Sequence, residues 1–93
     1  MRVIYKYGIN APGLTELTLP AGAKPLAVGL QNGKPVVWVD IDIDQPEVEY
    51  ELHTFGTGQS LPTDTVNYVG TLVQDWLVWH VYYQLADLNT KGE

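Results

Sequence analysis

Ninety-three residues, 45% of them apolar and none a cysteine, describe one small domain held by its core alone. No disulfide or thiolate metal site is available, 17% charge excludes disorder as the default state, and no apolar run approaches the roughly 20 residues that span a bilayer. The formal charge of −6, with Arg2, Lys6, Lys24, Lys34 and Lys91 dispersed, argues against nucleic acid as a direct ligand and suits a basic protein partner.

Taken in chain order, the apolar residues alternate with a period of two. The pattern predicts strands at Arg2–Tyr7, Leu14–Leu19, Leu26–Gln31, Val36–Ile43, Val48–Phe55, Val66–Val73 and Leu77–Tyr83. Turn chemistry separates them at Asn10-Ala11-Pro12-Gly13, Pro20-Ala21-Gly22, Asn32-Gly33, Asp44-Gln45-Pro46 and Gly56-Thr57-Gly58. The expected fold is all-β, a small antiparallel sandwich or partly open barrel of about seven strands over residues 1–83. Residues 84–93 read as a short polar tail. Met1–Lys6 lacks the long apolar stretch of a signal peptide, so a soluble protein is expected.

Asn32-Gly33 is a strong type I′ hairpin signal, because both residues tolerate positive φ. A two-residue loop there pairs Gln31 with Lys34, Val28 with Val37 and Leu26 with Val39. A four-residue loop at Asp44–Glu47 then pairs Ile43 with Val48, Ile41 with Tyr50 and Val39 with Leu52. The three strands agree on one core face: Leu26, Val28, Leu30, Val37, Val39, Ile41, Ile43, Val48, Tyr50 and Leu52.

The last hairpin is apolar on both sides. With Gln74-Asp75 as its turn, one face carries Tyr68, Leu72, Leu77, Trp79 and Val81, Gly70 leaving room for the indole. The other carries Val69, Val73, Trp76, Val78, His80 and Tyr82. Trp76, Val78, His80 and Tyr82 are therefore candidate contacts in a homo-oligomer.

The register that builds the core sets Asp40 and Asp42 opposite Glu51 and Glu49 on the outer face, with Glu47 at the end. Like charges across a ladder destabilise it, so the group reads either as a solvated face, eased by Arg2 or Lys6, or as a surface for a basic partner. Trp38 falls opposite His53 on the same face, and an exposed tryptophan is a candidate binding contact. Strand-spaced carboxylates splay apart, so no metal and no cofactor is expected. Two histidines and a single serine, Ser60, lack the nucleophile–base–orienter pattern of an active site, and no enzyme is expected. Gly56-Thr57-Gly58-Gln59 is no Walker motif, although its backbone amides make it a candidate loop for a small anion such as a nucleotide.

Ile4-Tyr5-Lys6-Tyr7, Leu19-Pro20-Ala21-Gly22-Ala23-Lys24 and Gln31-Asn32-Gly33-Lys34-Pro35 are followed by Phe55-Gly56-Thr57-Gly58, Leu61-Pro62, Tyr68-Val69-Gly70-Thr71 and Val78-Trp79-His80. This order resembles a family of small proteins from tailed phages and prophages, over about residues 2–83. Gln59-Ser60 and the short turn at Gln74-Asp75 depart from its pattern. The resemblance implies a phage setting and carries over no functional residue. The expected function is a phage accessory protein that binds and inhibits a bacterial defence protein in the cytoplasm of an infected host. The alternatives are an oligomer sequestering a small nucleotide signal, or a minor phage structural protein.

Overall fold

The computed structural model describes residues 1–86, which form seven strands, every pairing antiparallel. They are β1 (Arg2–Gly8), β2 (Gly13–Pro20), β3 (Lys24–Gln31), β4 (Lys34–Asp42), β5 (Glu47–Gly56), β6 (Tyr68–Gln74) and β7 (Leu77–Leu85). Each matches a strand expected from the alternation. β7 runs on to Leu85, into the segment read as a tail; residues 87–93 lie outside the described part.

Two sheets form an open sandwich rather than a closed barrel. The three-stranded sheet has the order β1-β4-β3 and the four-stranded sheet β2-β5-β7-β6. Their inner faces meet over Leu19, Val37, Val39, Ile41, Tyr50, Leu52, Leu72, Trp79 and Val81, all buried. Val37, Val39, Leu52 and Val81 have no exposed surface, and each such side chain contributes on the order of 1.5–3 kcal/mol.

The Asn32-Gly33 turn forms as its sequence dictates. Asn32 at φ 53° and Gly33 at φ 75° both lie in the left-handed region, and Gln31 pairs with Lys34 and Val28 with Val37. Beyond that point a bulge at Leu26 shifts the register, so Pro25 stands opposite Val39 and Leu26 is exposed.

The expected β4–β5 hairpin does not form. β4 pairs with β1 and β3, while β5 pairs with β2 and β7, so Asp44–Pro46 carries the chain from one sheet to the other. Val39, Ile41, Tyr50 and Leu52 still share one core, but from facing sheets rather than from neighbouring strands. Alternation fixes which side chains point inward and is the same for both connections. Leu30 and Ile43, expected in the core, are exposed, and Val28 and Val48 are only partly buried against it.

The last hairpin turns one residue later than expected. Gln74 pairs with Leu77 and Leu72 with Trp79, leaving Asp75-Trp76 as the turn with Asp75 at φ 57°. Moving the turn by one position shifts the pairing by two, so Leu72, Trp79 and Val81 stay inward as expected. Gly70 does not accommodate the indole. A β-carbon there would lie 3.1 Å from Val28, whereas Gly56 is the glycine beneath Trp79, at 3.4 Å.

Candidate functional site: the outer face of the four-stranded sheet

Because the two sheets turn their backs on each other, the expected cluster of five carboxylates is divided. Asp40 and Asp42 lie on β4 in the three-stranded sheet; Glu47, Glu49 and Glu51 lie on β5 in the other. Arg2 binds Asp40 through both Nε, at 3.1 Å, and Nη2, and this pairing holds the Asp40 carboxyl below its ordinary 3.8. Asp42 is held low as well, chiefly by the Asp44 backbone N–H and then by the Met1 ammonium group. These two carboxylates are neutralised where they stand.

Trp38 and His53 are separated in the same way. Trp38 lies on the outside of β4 between Lys6 and Ala27, with its indole over Gly29, where a β-carbon would come within 3.2 Å. It is half-buried. His53 lies on β5 between Leu14 and Tyr82.

On the four-stranded sheet a different acidic group forms. Glu16 on β2 stands opposite Glu51, and Thr18 stands opposite Glu49 and donates to its carboxylate. Glu51 accepts from Gln84 Nε2 at 3.0 Å and lies 3.4 Å from His53 Nε2. The basic residues among those described, Arg2, Lys6, Lys24 and Lys34, are all on the strands of the three-stranded sheet. Among the described residues, every Lys and Arg thus lies on one sheet and the Glu16–Glu49–Glu51 group on the other.

Next to the glutamates runs an aromatic strip. Phe55 meets Tyr82 edge to face at 6.1 Å, Tyr82 meets Tyr68 at 5.4 Å, and His53 lies parallel to Phe55 at 6.3 Å. Beyond it His80 is pinned from both sides. Thr57 Oγ1 lies 2.8 Å from Nε2, Thr71 Oγ1 lies 3.0 Å from Nδ1, and Tyr68 bonds Thr71 in turn. A neutral imidazole donates through one nitrogen and accepts through the other, so the two threonines take opposite roles. The third member of this chain is a hydroxyl rather than a carboxylate, and the arrangement holds the 57–67 loop against β7.

That loop closes through its own groups. Gly58 at φ 88° makes the bend, Gln59 N–H donates to Gly56 C=O, and Gly56 N–H is taken by Gln59 Oε1, both at 3.0 Å. The Gly56 amide expected to face an anion is therefore engaged within the loop. Two clefts flank it. One of about 190 Å³ lies among Gly56–Gln59, Leu61 and His80; the other, about 200 Å³, lies between Phe55, Tyr82 and the loop residues Pro62–Val66. No group of three or more His, Asp or Glu suited to a metal ion occurs among the described residues.

The expected oligomer contacts divide too. Val78, His80 and Tyr82 are half-buried on the outer face, whereas Trp76 sits at the hairpin tip with 87% of its surface exposed. Sequence reasoning missed Glu16 and Thr71 and set Tyr68 on the inner face, whereas the bulge between Tyr68 and Gly70 leaves it outside against Tyr82. Thr71 was legible in principle: the correct turn pairs it with His80, and the turn one residue earlier replaces it with Val69.

The family model of a domain of unknown function, DUF7352, matches residues 1–91. The chain belongs to the DUF7352 family. No curated protein and no solved structure matches it. In this DUF7352 domain the candidate site is the acidic and aromatic outer face of the four-stranded sheet.

Proposed function

We propose that this protein acts by binding, without catalysis, and that the outer face of the four-stranded sheet docks a basic protein partner. The observation that carries this reading is the segregation of charge. Glu16, Glu49 and Glu51 share a sheet whose four strands contain no Lys or Arg, beside the Phe55–Tyr82–Tyr68 strip. Keeping like charges opposite one another lowers stability, and a partner that neutralises them recovers it. The resemblance to phage proteins supports a setting in an infected bacterium, with a host defence protein as the target.

The nucleotide alternative has less support. Clefts of about 200 Å³ fall below the roughly 300–1,000 Å³ of small-molecule sites, and no cation on these strands faces a phosphate. A second, apolar contact, with another copy of this chain, is supported by Trp76 at the hairpin tip and Val73 on the same hairpin, 87% and 60% exposed.

The test compares two charge-reversed variants as immobilised bait for host cytosolic proteins. The Glu16→Lys/Glu49→Lys protein should lose a basic partner that wild type retains, and the Asp40→Lys/Asp42→Lys protein should keep it. Retention by the first variant and loss by the second would place the contact on the other sheet and refute the reading.

A further inference from the structure

We propose that the cleft between Phe55, Tyr82 and the 57–67 loop receives one cationic side chain, a guanidinium or ammonium group, presented by the protein partner. The inference rests on the basic-partner reading and specifies how that partner is gripped. Phe55 and Tyr82 form two walls with their ring planes 71° apart. Asp64 brings a carboxylate to the lining, together with Pro62 of the loop, His53, which lies 3.4 Å from Glu51, and Gln84, whose Nε2 donates to Glu51. A volume of about 200 Å³ holds one long side chain and excludes a nucleotide.

The composition of this cleft selects for positive charge in two ways. Aromatic faces attract a cation placed within about 6 Å of their centroids, and a carboxylate beside them pairs with it directly. No Lys or Arg from any described strand of this sheet competes for the site. Arg has the geometry to use both features, because its planar guanidinium stacks on a ring while donating in plane. The Glu16–Glu49–Glu51 group steers the partner, and the cleft fixes its register.

The experiment titrates the whole protein with N-acetyl-arginine amide and follows the backbone amide shifts of residues 53–55, 62–66 and 82–84. N-acetyl-citrulline amide is the neutral isostere and spermidine the free cation. Saturable shifts at these residues from the arginine probe, and none from citrulline, are expected. Asp64→Asn, at an exposed loop position, should weaken arginine binding about two- to fivefold, the fold-change of an exposed ion pair. Tyr82→Leu should weaken it by about as much through loss of the ring. Equal shifts from citrulline, or unchanged affinity in Asp64→Asn, would overturn the cation site. Spermidine saturating the cleft at tenfold lower concentration than arginine would overturn its assignment to a protein side chain. If the cleft fails while Glu16→Lys/Glu49→Lys still loses its partner, docking by charge stands and only the grip is refuted.

Discussion

Glu16 and Glu51 stand directly opposite each other on β2 and β5, in a sheet whose described strands carry no Lys or Arg. On the opposite sheet the carboxylates of Asp40 and Asp42 each have a positive partner. Among the described residues the Lys and Arg side chains therefore lie on one sheet and the Glu16–Glu49–Glu51 group on the other, and this asymmetry carries the functional reading.

The core assignment makes the sharpest stability prediction. Val39 is fully buried between the sheets, so Val39→Asp places a carboxylate in the apolar core. The expected loss is on the order of 3–5 kcal/mol, enough to unfold a domain with an ordinary margin of about 5–15. Circular dichroism with urea titration reads the result; a folded variant of near-wild-type midpoint would refute the placement of β4.

The turn at Asn32-Gly33 gives a smaller effect of known origin. Gly33 sits at φ 75°, a conformation that costs other residues about 1–2 kcal/mol. Gly33→Ala should lower the free energy of unfolding by that amount, read as a lower urea midpoint with an unchanged slope. No change would mean that the turn relaxes to another type.

Acid sensitivity should come from the three-stranded sheet. The folded pKa values of Asp40 and Asp42 are depressed, so the unfolded chain binds more protons in the window below about 3.8. Their contribution is present above that value and is lost as pH falls through the folded pKa. Thermal midpoints between pH 5 and 2 should therefore fall less steeply in Asp40→Asn than in wild type. A parallel slope in the two proteins would show that the Arg2 pairing does not form in solution.

Trp76 tests the apolar contact. At 87% exposure it holds little of the fold, so Trp76→Ser should shift stability by no more than about 0.5 kcal/mol. Light scattering should show wild type above monomer mass at micromolar concentration and the variant closer to it. Monomer mass for wild type would remove the second copy from the account.

How much of this was legible follows from what alternation can encode. Seven strands, and the inward set Val37, Val39, Ile41, Tyr50, Leu52, Leu72, Trp79 and Val81, follow from a period of two and from turn residues. These are local signals. Strand partners beyond a tight turn are not local, and so the β4–β5 crossover was invisible: Val39 and Leu52 satisfy it as well as they satisfy a hairpin. The candidate site suffered most from this. Assigning Glu49 and Glu51 to the same face as Asp40 and Asp42 joined two surfaces that lie on opposite sides of the molecule. Recognising Glu16 required the β2–β5 pairing, which no short-range pattern announces. Hairpin register was recoverable where both turn residues favour positive φ, as at Asn32-Gly33; at Asp75-Trp76, where tryptophan gives no turn signal, the turn moved by one residue and the pairing by two.

The most direct test of the central claim measures stability and association on one variant, Glu16→Lys. Placing a cation opposite Glu51 should raise stability by about 0.2–1 kcal/mol, because a repulsive cross-strand pair becomes attractive. Association with the captured basic partner should slow, and its dependence on salt should flatten. A more stable protein that binds less well is the result expected of a surface kept acidic for a partner. A variant of raised stability with an unaltered association rate would contradict the claim, and would leave the acidic face as solvated charge alone.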